Sequence, residues 1–507
     1  MKKRILKMVT CLTCAVLLVS LALAMVACAD KNTPPDTEPI IRLNESKKYQ
    51  TFQGFGASSA WTYQLFGVSE NGQLKDDTME ALYGESGLGL NTFRYNVGAG
   101  GSEVYNYNDR ERGAESFFVA ENFNGDYSVF ADESNYDFTK DKGVRELFEK
   151  ALSIGNIKEI VFFANSPHYL MTLNGKAHGE KENQNNLKEE CYTAFSQYML
   201  VIVNRLYKDI VCKYDPSIKI LISPVNEPQW KWGGSGATQE GCHYDPKVLA
   251  KFYDTFYKEL KEFNKANSTN FVMDAFESGN YKFLDLNAKY KTYINEFKKY
   301  SWFNDLDCVS VHSYGTDLDT YPRTQLQSWM SKNVNKDISV SEYCVMEGGI
   351  SQGIDMGIKS AQVVLRDLAM INAVSWNYWL SLSLNRYNFE DGLLYWDEAD
   401  TVWSTRRYYT MGQFTRYITK GSVRIDAKYN NFVDGIECVA FKRQDGAIVL
   451  VVINSSDKDQ QIALKGAYKN VQEIVTTQTK NWEINDYQFD NAITSSAKSV
   501  TTYVMTK

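Results

Sequence analysis

The sequence has few residues of the kinds that hold metal ions or bind nucleic acids. Its 507 residues include only four histidines, and none lies in an HExxH motif or a similar metal-binding spacing. Asp and Glu total 62 against 55 Lys and Arg, whereas phosphate binding needs concentrated positive charge. Gly175-Lys176 lacks the upstream glycine of a phosphate-binding loop. We therefore expect no metal, no cofactor and no nucleic-acid partner.

Long hydrophobic runs are also absent, apart from one at the N-terminus. Met8–Ala27 follows a basic leader and is apolar except for an occasional Thr, Ser or Cys, which is typical of an export signal. The run ends in Met25-Val26-Ala27-Cys28, which resembles a bacterial lipobox with Cys28 as the lipidated residue. We predict a signal peptide over 1–27, a tether over 28–39 and a lipid anchor at the cell surface. An uncleaved membrane anchor and a released extracellular protein are the alternatives.

Beyond the tether, short apolar runs alternate with helix-like stretches such as Lys142–Ser153, Glu189–Lys213 and Pro246–Ala266. Eight repeats of strand and helix predict an α/β protein with a (β/α)8 TIM barrel, here over residues 53–418. The strands should be near-continuous apolar runs, since both faces of a parallel barrel are covered. The eight runs are Thr51–Ser58, Asn91–Val97, Glu159–Asn165, Lys219–Asn226, Asn270–Phe276, Cys308–Tyr314, Asp337–Tyr343 and Ala373–Leu380.

After about Thr419 the helical periodicity fades and short alternating runs follow. Glu437–Lys442 and Ala447–Asn454 flank Asp445-Gly446, which is a hairpin signal. This pattern predicts a small C-terminal β-sandwich over 419–507. Residues 40–52 are also strand-like, and we expect them to join the sandwich.

Two glutamates stand where a barrel carries its chemistry, at the C-terminal ends of strands. Glu227 follows the apolar run LISPVN, and Glu342 follows ISVS. Glycoside hydrolysis needs two carboxyl groups across a cleft. One protonates the leaving oxygen, and the other faces the positive charge that develops at the anomeric carbon. A spacing of about 5–5.5 Å between them is expected for a retaining enzyme. We predict Glu227 as the acid/base and Glu342 as the nucleophile.

Further polar and aromatic residues at the strand ends are candidates for binding the substrate. Arg94 would keep Glu342 ionised, Asn226 would bind a sugar 2-hydroxyl, and His312 and Tyr314 would orient either carboxylate. Plain structural roles are the alternatives: an ion pair for Arg94, a core histidine at position 312, core packing for the tryptophans and a surface site for Glu277. The predicted binding set is Arg94, Asn165, Asn226, His312, Tyr314, Trp61, Trp376 and Glu277.

Taken together, these motifs resemble glycoside hydrolase family 30, a family of clan A retaining glycosidases. The matching segments span the chain: Gln53–Trp61, Leu90–Gly98, Ala164–Gly179, Ser223–Trp232, Val311–Gly315 and Ser339–Gly348. The resemblance implies a barrel linked to a β-sandwich, with Glu227 as acid/base and Glu342 as nucleophile. It implies a polysaccharide or oligosaccharide as the partner, and we expect a monomer.

Within the family, ANSPHYLMT and NEPQWKW look most like the endo-β-1,6-galactanase branch, whose members cut the galactan side chains of arabinogalactan proteins. His168 departs from that pattern, since a second proline or a small residue is expected there. The alternatives are a β-1,6-glucanase, a xylanase or glucuronoxylanase, a β-glucosidase and a β-fucosidase. A surface lipoprotein that binds glycans without cutting them is the alternative from another class.

Overall fold

The computed structural model describes residues 38–101, 112–234, 237, 239–281, 289–430, 435–466 and 468–507. The predicted signal peptide and the predicted lipidation site Cys28 lie outside these ranges, as does the tether up to residue 37. None of the helices within the described ranges has both the length and the apolarity needed to cross a bilayer. The six cysteines in these ranges are free thiols.

Eight parallel strands form the barrel, as predicted. The strands are β2 Gly54–Ser58, β3 Thr92–Asn96, β4 Glu159–Phe163, β5 Lys219–Ser223, β6 Val272–Met273, β7 Cys308–His312, β8 Asp337–Glu342 and β9 Ser375–Leu384. Neighbouring strands pair in chain order, from β2 with β3 up to β5 with β6, then β7 with β8, β8 with β9, and β9 back to β2. A parallel bridge between Ser278 and Val311 joins the remaining side.

The strand β6 is much shorter than the run Asn270–Phe276 that the sequence predicts. The backbone leaves the ladder after Met273, and Glu277 adopts a positive φ of 53°, which regular strands do not contain. This irregular stretch carries Asp274 and Glu277 into the buried interior.

Helices cover the outside of the barrel and pack on it through apolar side chains. In Lys142–Ser153, the residues Val144, Leu147, Phe148 and Ala151 recur at helical spacing and are buried. The helices are Tyr63–Phe66, Gly72–Tyr83, Lys142–Ser153, Tyr192–Leu206, Cys212–Tyr214, Pro246–Asn267, Lys289–Phe297, Trp302–Asp305, Tyr321–Asn333, Ile354–Met370 and Arg406–Thr415.

Two further strands extend the barrel sheet beyond β9, and the rest of the chain forms a second sheet. β10 Gly392–Trp396 pairs with β9, and β11 Val402–Ser404 pairs with β10. The second sheet has nine strands and encloses a core of its own. Its members are β1 Ile40–Thr51, β12 Val423–Tyr429, β13 Ile436–Lys442, β14 Ile448–Asn454, β15 Gln460–Lys465, β16 Asn470–Thr476, β17 Glu483–Gln488, β18 Ala492–Ser495 and β19 Ser499–Thr506.

The N-terminal strand β1 lies inside this second sheet, antiparallel to β12 and parallel to β15. The described part of the chain therefore starts in the sandwich at β1, passes through the barrel and returns to the sandwich. The two parts also share buried hydrogen bonds, such as the one that Thr502 donates to the carbonyl of Gln413 at 2.6 Å. The sandwich thus supports the barrel from the side of its last helix.

Candidate active site

Glu227 and Glu342 line one cleft at the C-terminal ends of the barrel strands. Glu342 is the last residue of β8, and Glu227 lies in the loop after β5. The backbone of Glu227 has a φ of 45°, and its N–H donates to the carbonyl of Glu277 at 2.9 Å. A left-handed backbone is uncommon for a residue other than glycine, and such strained positions concentrate at functional sites. The cleft has a volume of about 440 Å³.

The two carboxyl groups lie close enough to act on one sugar. A carboxylate oxygen of each glutamate and a ring nitrogen of His312 all lie within 4.8 Å of one another. Nδ1 of His312 is 2.9 Å from Oε1 of Glu227 and 3.6 Å from Oε1 of Glu342. This spacing is close to the range of about 5–5.5 Å that is typical of direct nucleophilic attack.

A buried layer of charge supports the pair from below. Arg94 on β3 donates to Oε2 of Glu342 at 3.1 Å and to Oε1 of Glu277 at 3.3 Å. Nε2 of His312 lies 2.8 Å from Oε2 of Glu277, and Ser341 donates a short hydrogen bond to the same oxygen. Glu277 is thereby held by two cations and a hydroxyl.

These contacts set the charges of the buried groups. Burial opposes protonation of His312, but the charge of Glu342 and hydrogen bonds with Glu227 and Glu277 outweigh it and raise the pKa of His312 to about 10. Burial also opposes ionisation of Glu277, yet Arg94 and His312 outweigh it and lower the pKa of Glu277 to about 2. At neutral pH the layer therefore contains an imidazolium, a guanidinium and a carboxylate.

The environment of Glu342 differs from the sequence-based expectation that Arg94 keeps it ionised. Burial raises the pKa of Glu342, and the nearby Glu227 acts in the same direction. His312 and Arg94 lower it, but the pKa remains above its ordinary value. Ionisation of Glu342 therefore depends on both cations, and His312 acts more strongly on it than Arg94.

Glu227, His312 and Glu342 are the one set of side chains within the described ranges whose atoms are close enough together to ligate a metal ion. The chemistry of the set does not fit that role. A ligating histidine needs a free ring nitrogen that points at the metal, whereas both ring nitrogens of His312 already lie within hydrogen-bond distance of carboxylate oxygens. The donors fit a hydrogen-bonded pair of carboxyl groups better than a metal centre.

Three of the predicted binding residues lie in the cleft beside the glutamates. Tyr314 donates to Oε1 of Glu342 at 2.9 Å, and Asn165 donates to Asn96 at 2.6 Å. Asn226 also lines the cleft, and its Oδ1 has no hydrogen-bond partner within the described part of the chain. A buried acceptor of this kind can receive a sugar hydroxyl.

Arg94, His312 and Glu277 lie below the cleft and do not line it, so the structure does not place them as substrate contacts. Arg94 and His312 instead contact the paired glutamates, as their predicted supporting roles require. Their side chains are fully buried, and each is occupied by its charged neighbours. Arg94 and His312 face inward on their strands, which stack polar side chains in layers below the mouth of the barrel, and the irregular stretch after β6 carries Glu277 to the same depth. They can act on the substrate only through Glu227 and Glu342.

The tryptophans divide into two groups. Trp61 and Trp379 meet edge to face at 5.4 Å between ring centroids and line the mouth of the barrel, and Trp230 and Trp232 line the cleft near Glu227. The prediction that Trp376 binds the substrate is wrong. Its ring is wholly buried, and its indole N–H donates to Asp367 of the covering helix at 3.0 Å.

Some residues of the site carried too weak a signal in the sequence. Ser341 is a short polar residue in an apolar strand, and only its alternation with Ser339 indicates that both face inward. No feature of the sequence indicates that Gly279 belongs to the site. A Cβ at this position would lie 2.7 Å from Oε1 of Glu227 and 2.1 Å from Nε1 of Trp230, so only glycine fits without a shift of these side chains. His168, by contrast, is a core residue among aromatic rings, and burial lowers its pKa to about 3.

Comparison with known proteins gives two family matches. The model of the O-glycosyl hydrolase family 30 matches residues 38–395, and that of the glycosyl hydrolase family 30 beta sandwich domain matches residues 421–503. An endo-beta-1,6-galactanase from Hypocrea rufa is 24% identical over 426 residues, which cover 80% of this chain and 79% of that protein.

Solved structures with the same fold are similarly distant in sequence. A conserved exported protein from Bacteroides fragilis superimposes with a TM-score of 0.77 at 21% identity, covering 92% of this chain and 100% of that one. The catalytic domain of the GH30 xylanase C from Talaromyces cellulolyticus gives a TM-score of 0.71 at 18% identity, with the same coverage. These likenesses show that barrel and sandwich occur together in other proteins.

Proposed function

The chain belongs to glycoside hydrolase family 30, and from this membership we propose that it is a retaining enzyme that cuts β-1,6-linked galactan. The observation that carries the proposal is the pair of carboxyl groups of Glu227 and Glu342, which share one cleft with oxygens within 4.8 Å. The short spacing favours attack by a carboxylate over attack by an intervening water molecule.

In the first step of the proposed reaction, the carboxylate of Glu342 attacks the anomeric carbon. The bond from that carbon to the glycosidic oxygen breaks, and Glu227 donates a proton to the departing oxygen. In the second step Glu227 removes a proton from water, the water oxygen attacks the same carbon, and the carboxylate of Glu342 leaves. The product keeps its original anomeric configuration.

The buried layer prepares both glutamates for these roles. Arg94 and Tyr314 hold the two oxygens of Glu342, so the attacking group is fixed in direction. His312 contacts Glu227 from below and keeps its carboxyl group facing the cleft. Asn226 offers an acceptor for a sugar hydroxyl beside the reacting carbon.

The substrate assignment is supported by the curated relative that cuts β-1,6-galactan and by the aromatic cleft wall at Trp230 and Trp232. Another family 30 specificity, such as xylan or β-1,6-glucan, is the nearest alternative. A glycan-binding protein without activity is less well supported, because a binding protein has no use for two paired carboxyl groups held by buried cations.

Purified protein assayed on linkage-defined polysaccharides tests the proposal. We expect release of sugar from β-1,6-galactan, first as the β-anomer by NMR, and a loss of about 10⁴-fold or more in Glu342→Gln. Asp400→Asn, at an exposed aspartate outside the cleft, is the matched control. Turnover retained by Glu342→Gln would contradict the mechanism, and activity on xylan alone would contradict the substrate.

We further propose that the chain is exported and anchored through a lipid on Cys28. The support is the basic leader, the apolar run and the small residues before Cys28. In cells fed a clickable fatty acid, the wild type and Cys14→Ser should carry the label and Cys28→Ser should not. Equal labelling of all three would overturn the anchor.

A further inference from the structure

A second pocket adjoins the cleft. It has a volume of about 220 Å³ and shares Gln239, Met346 and Trp379 with the cleft, so the two pockets lie on either side of these residues. We call it the side pocket and define it by residues that line it away from the glutamates: Trp61, Leu65, Ser383, Tyr387 and Asp391. Its size suits a single sugar ring.

The lining of the side pocket has the composition of a sugar site. Trp61, Tyr387 and Phe389 supply aromatic surface, and Asp391 supplies a carboxyl group. Oδ1 of Asp391 is buried and has no hydrogen-bond partner within the described ranges. Leaving a buried acceptor unpaired is costly, so this oxygen is suited to a hydroxyl brought by a ligand.

The carboxyl group of Asp391 is available as an acceptor at neutral pH. Burial raises the pKa of Asp391 to about 6, while the nearby hydroxyl of Ser383 acts in the opposite direction. A carboxylate can accept hydrogen bonds from two adjacent hydroxyls, which is a pattern that sugars present.

The position of the side pocket relative to Glu227 decides which sugar it can take. The acid must lie beside the leaving oxygen, and Trp230 and Trp232 on its own loop line the adjoining part of the cleft. None of residues 226–233, all of which the structure describes, lines the side pocket. The side pocket therefore lies away from the leaving group, beyond Trp379.

We propose that the side pocket binds the sugar unit attached to the one under attack, on the donor side of the cleavage point, with Asp391 accepting from its hydroxyls. This inference rests on the proposed function. It makes the smallest good donor a disaccharide, because a single sugar leaves the side pocket empty. The enzyme should then be inefficient at removing one sugar at a time.

Two chromogenic substrates test this, the 4-nitrophenyl glycosides of β-galactose and of β-1,6-galactobiose. For the wild type we expect a higher kcat/KM with the disaccharide. In Asp391→Asn the ratio of the two kcat/KM values should fall about tenfold, with a higher KM for the disaccharide, because a neutral amide with one acceptor oxygen replaces a charged group with two. Asp400→Asn, exposed on the following loop, is the control for charge.

The outcomes separate the two proposals. Cleavage of both substrates with equal efficiency by the wild type, or an unchanged ratio in Asp391→Asn, would overturn the side pocket as a sugar site and leave the proposed function intact. Cleavage of neither substrate would overturn the galactan assignment together with this inference. Melting temperatures of both variants close to that of the wild type would confirm that a changed ratio does not come from misfolding.

Discussion

Nε2 of His312 and Oε2 of Glu277 lie 2.8 Å apart, and both side chains are wholly buried beneath the paired carboxyl groups. With Arg94 and Glu342 they form a cluster of two cations and two anions. Such a cluster is stable only when each charge has its partner, because an unpaired buried charge is strongly destabilising. Glu277 therefore controls the site without touching the substrate.

Replacing Glu277 with Gln removes the anion that holds His312 from below, so the pKa of His312 should fall from about 10 toward its ordinary value of 6.5. NMR titration of the imidazole measures this directly. Ser341→Ala, which removes only a hydroxyl donor to Glu277, is the comparison and should shift the pKa less. An unmoved pKa in Glu277→Gln would contradict the charge cluster.

The same pKa predicts how stability depends on pH. Because the pKa of His312 in the fold lies above 6.5, its charge stabilises the fold fully below pH 6.5, and this contribution is lost as the pH rises toward 10. In Glu277→Gln the pKa of His312 is lower, so the stabilising contribution of its charge should be lost over a lower pH range. Unfolding by urea at several pH values measures both, and parallel curves for the two proteins would contradict the prediction.

The raised pKa of Asp274 makes the stability of the fold depend on pH, and a single substitution should remove this dependence. Burial and the charge of Glu277 raise the pKa of Asp274 from 3.8 to about 7, so the fold loses stability as the pH rises between these values. Asp274→Asn removes the charge and keeps an acceptor for Ser310, which donates to Asp274 at 2.5 Å. The variant should gain stability relative to the wild type between pH 4 and pH 8. A constant difference would refute the assignment.

Gly279 positions Glu227 by leaving room for it. A methyl group at Gly279 would collide with the ring of Trp230 and with Oε1 of Glu227, so Gly279→Ala must displace one or both. A shift of about 1 Å in a reacting group can cost about 10²-fold in rate, and we expect a fall in kcat of that order. Gly348→Ala, which has open space around its Cβ position, is the matched control and should retain its activity.

The barrel and the two glutamates could be predicted from the sequence because both depend on local pattern. Apolar runs such as Glu159–Phe163 indicate strands wherever they lie, and Glu227 and Glu342 stand directly after such runs. The end of strand β6 could not be predicted, because its ladder stops at Met273 although apolar residues continue, and the irregular backbone that follows, up to the positive φ of Glu277, depends on the packed interior.

The layer of charge below the glutamates was beyond the reach of the sequence. Alternation indicates which residues of β7 and β8 share a face, such as His312 with Ser310. It does not indicate that His312 meets Glu277 from the irregular stretch after β6, because that contact depends on how the barrel closes. The sequence does predict that Arg94 contacts Glu342, but the depth of Arg94 is a property of the closed barrel, so its distance from the cleft cannot be predicted.

Trp376 and Trp379 lie on the same strand, β9, but have different surroundings that the sequence alone does not distinguish. Three positions apart on β9, they point to opposite sides: Trp376 packs under the helix Ile354–Met370, and Trp379 lines the mouth of the barrel. Trp376→Ala should cost about 3–5 kcal/mol in the free energy of unfolding, because a large cavity forms and Asp367 loses a donor. Trp379→Ala should instead raise KM for the polysaccharide.

Measuring both quantities on both variants makes the comparison decisive. Each variant serves as the control for the other, since the residue type and the strand are the same. A rise in KM for Trp376→Ala without a loss of stability would contradict its place outside the cleft. A large loss of stability for Trp379→Ala with unchanged KM would show that its ring supports the wall of the barrel and does not bind the sugar.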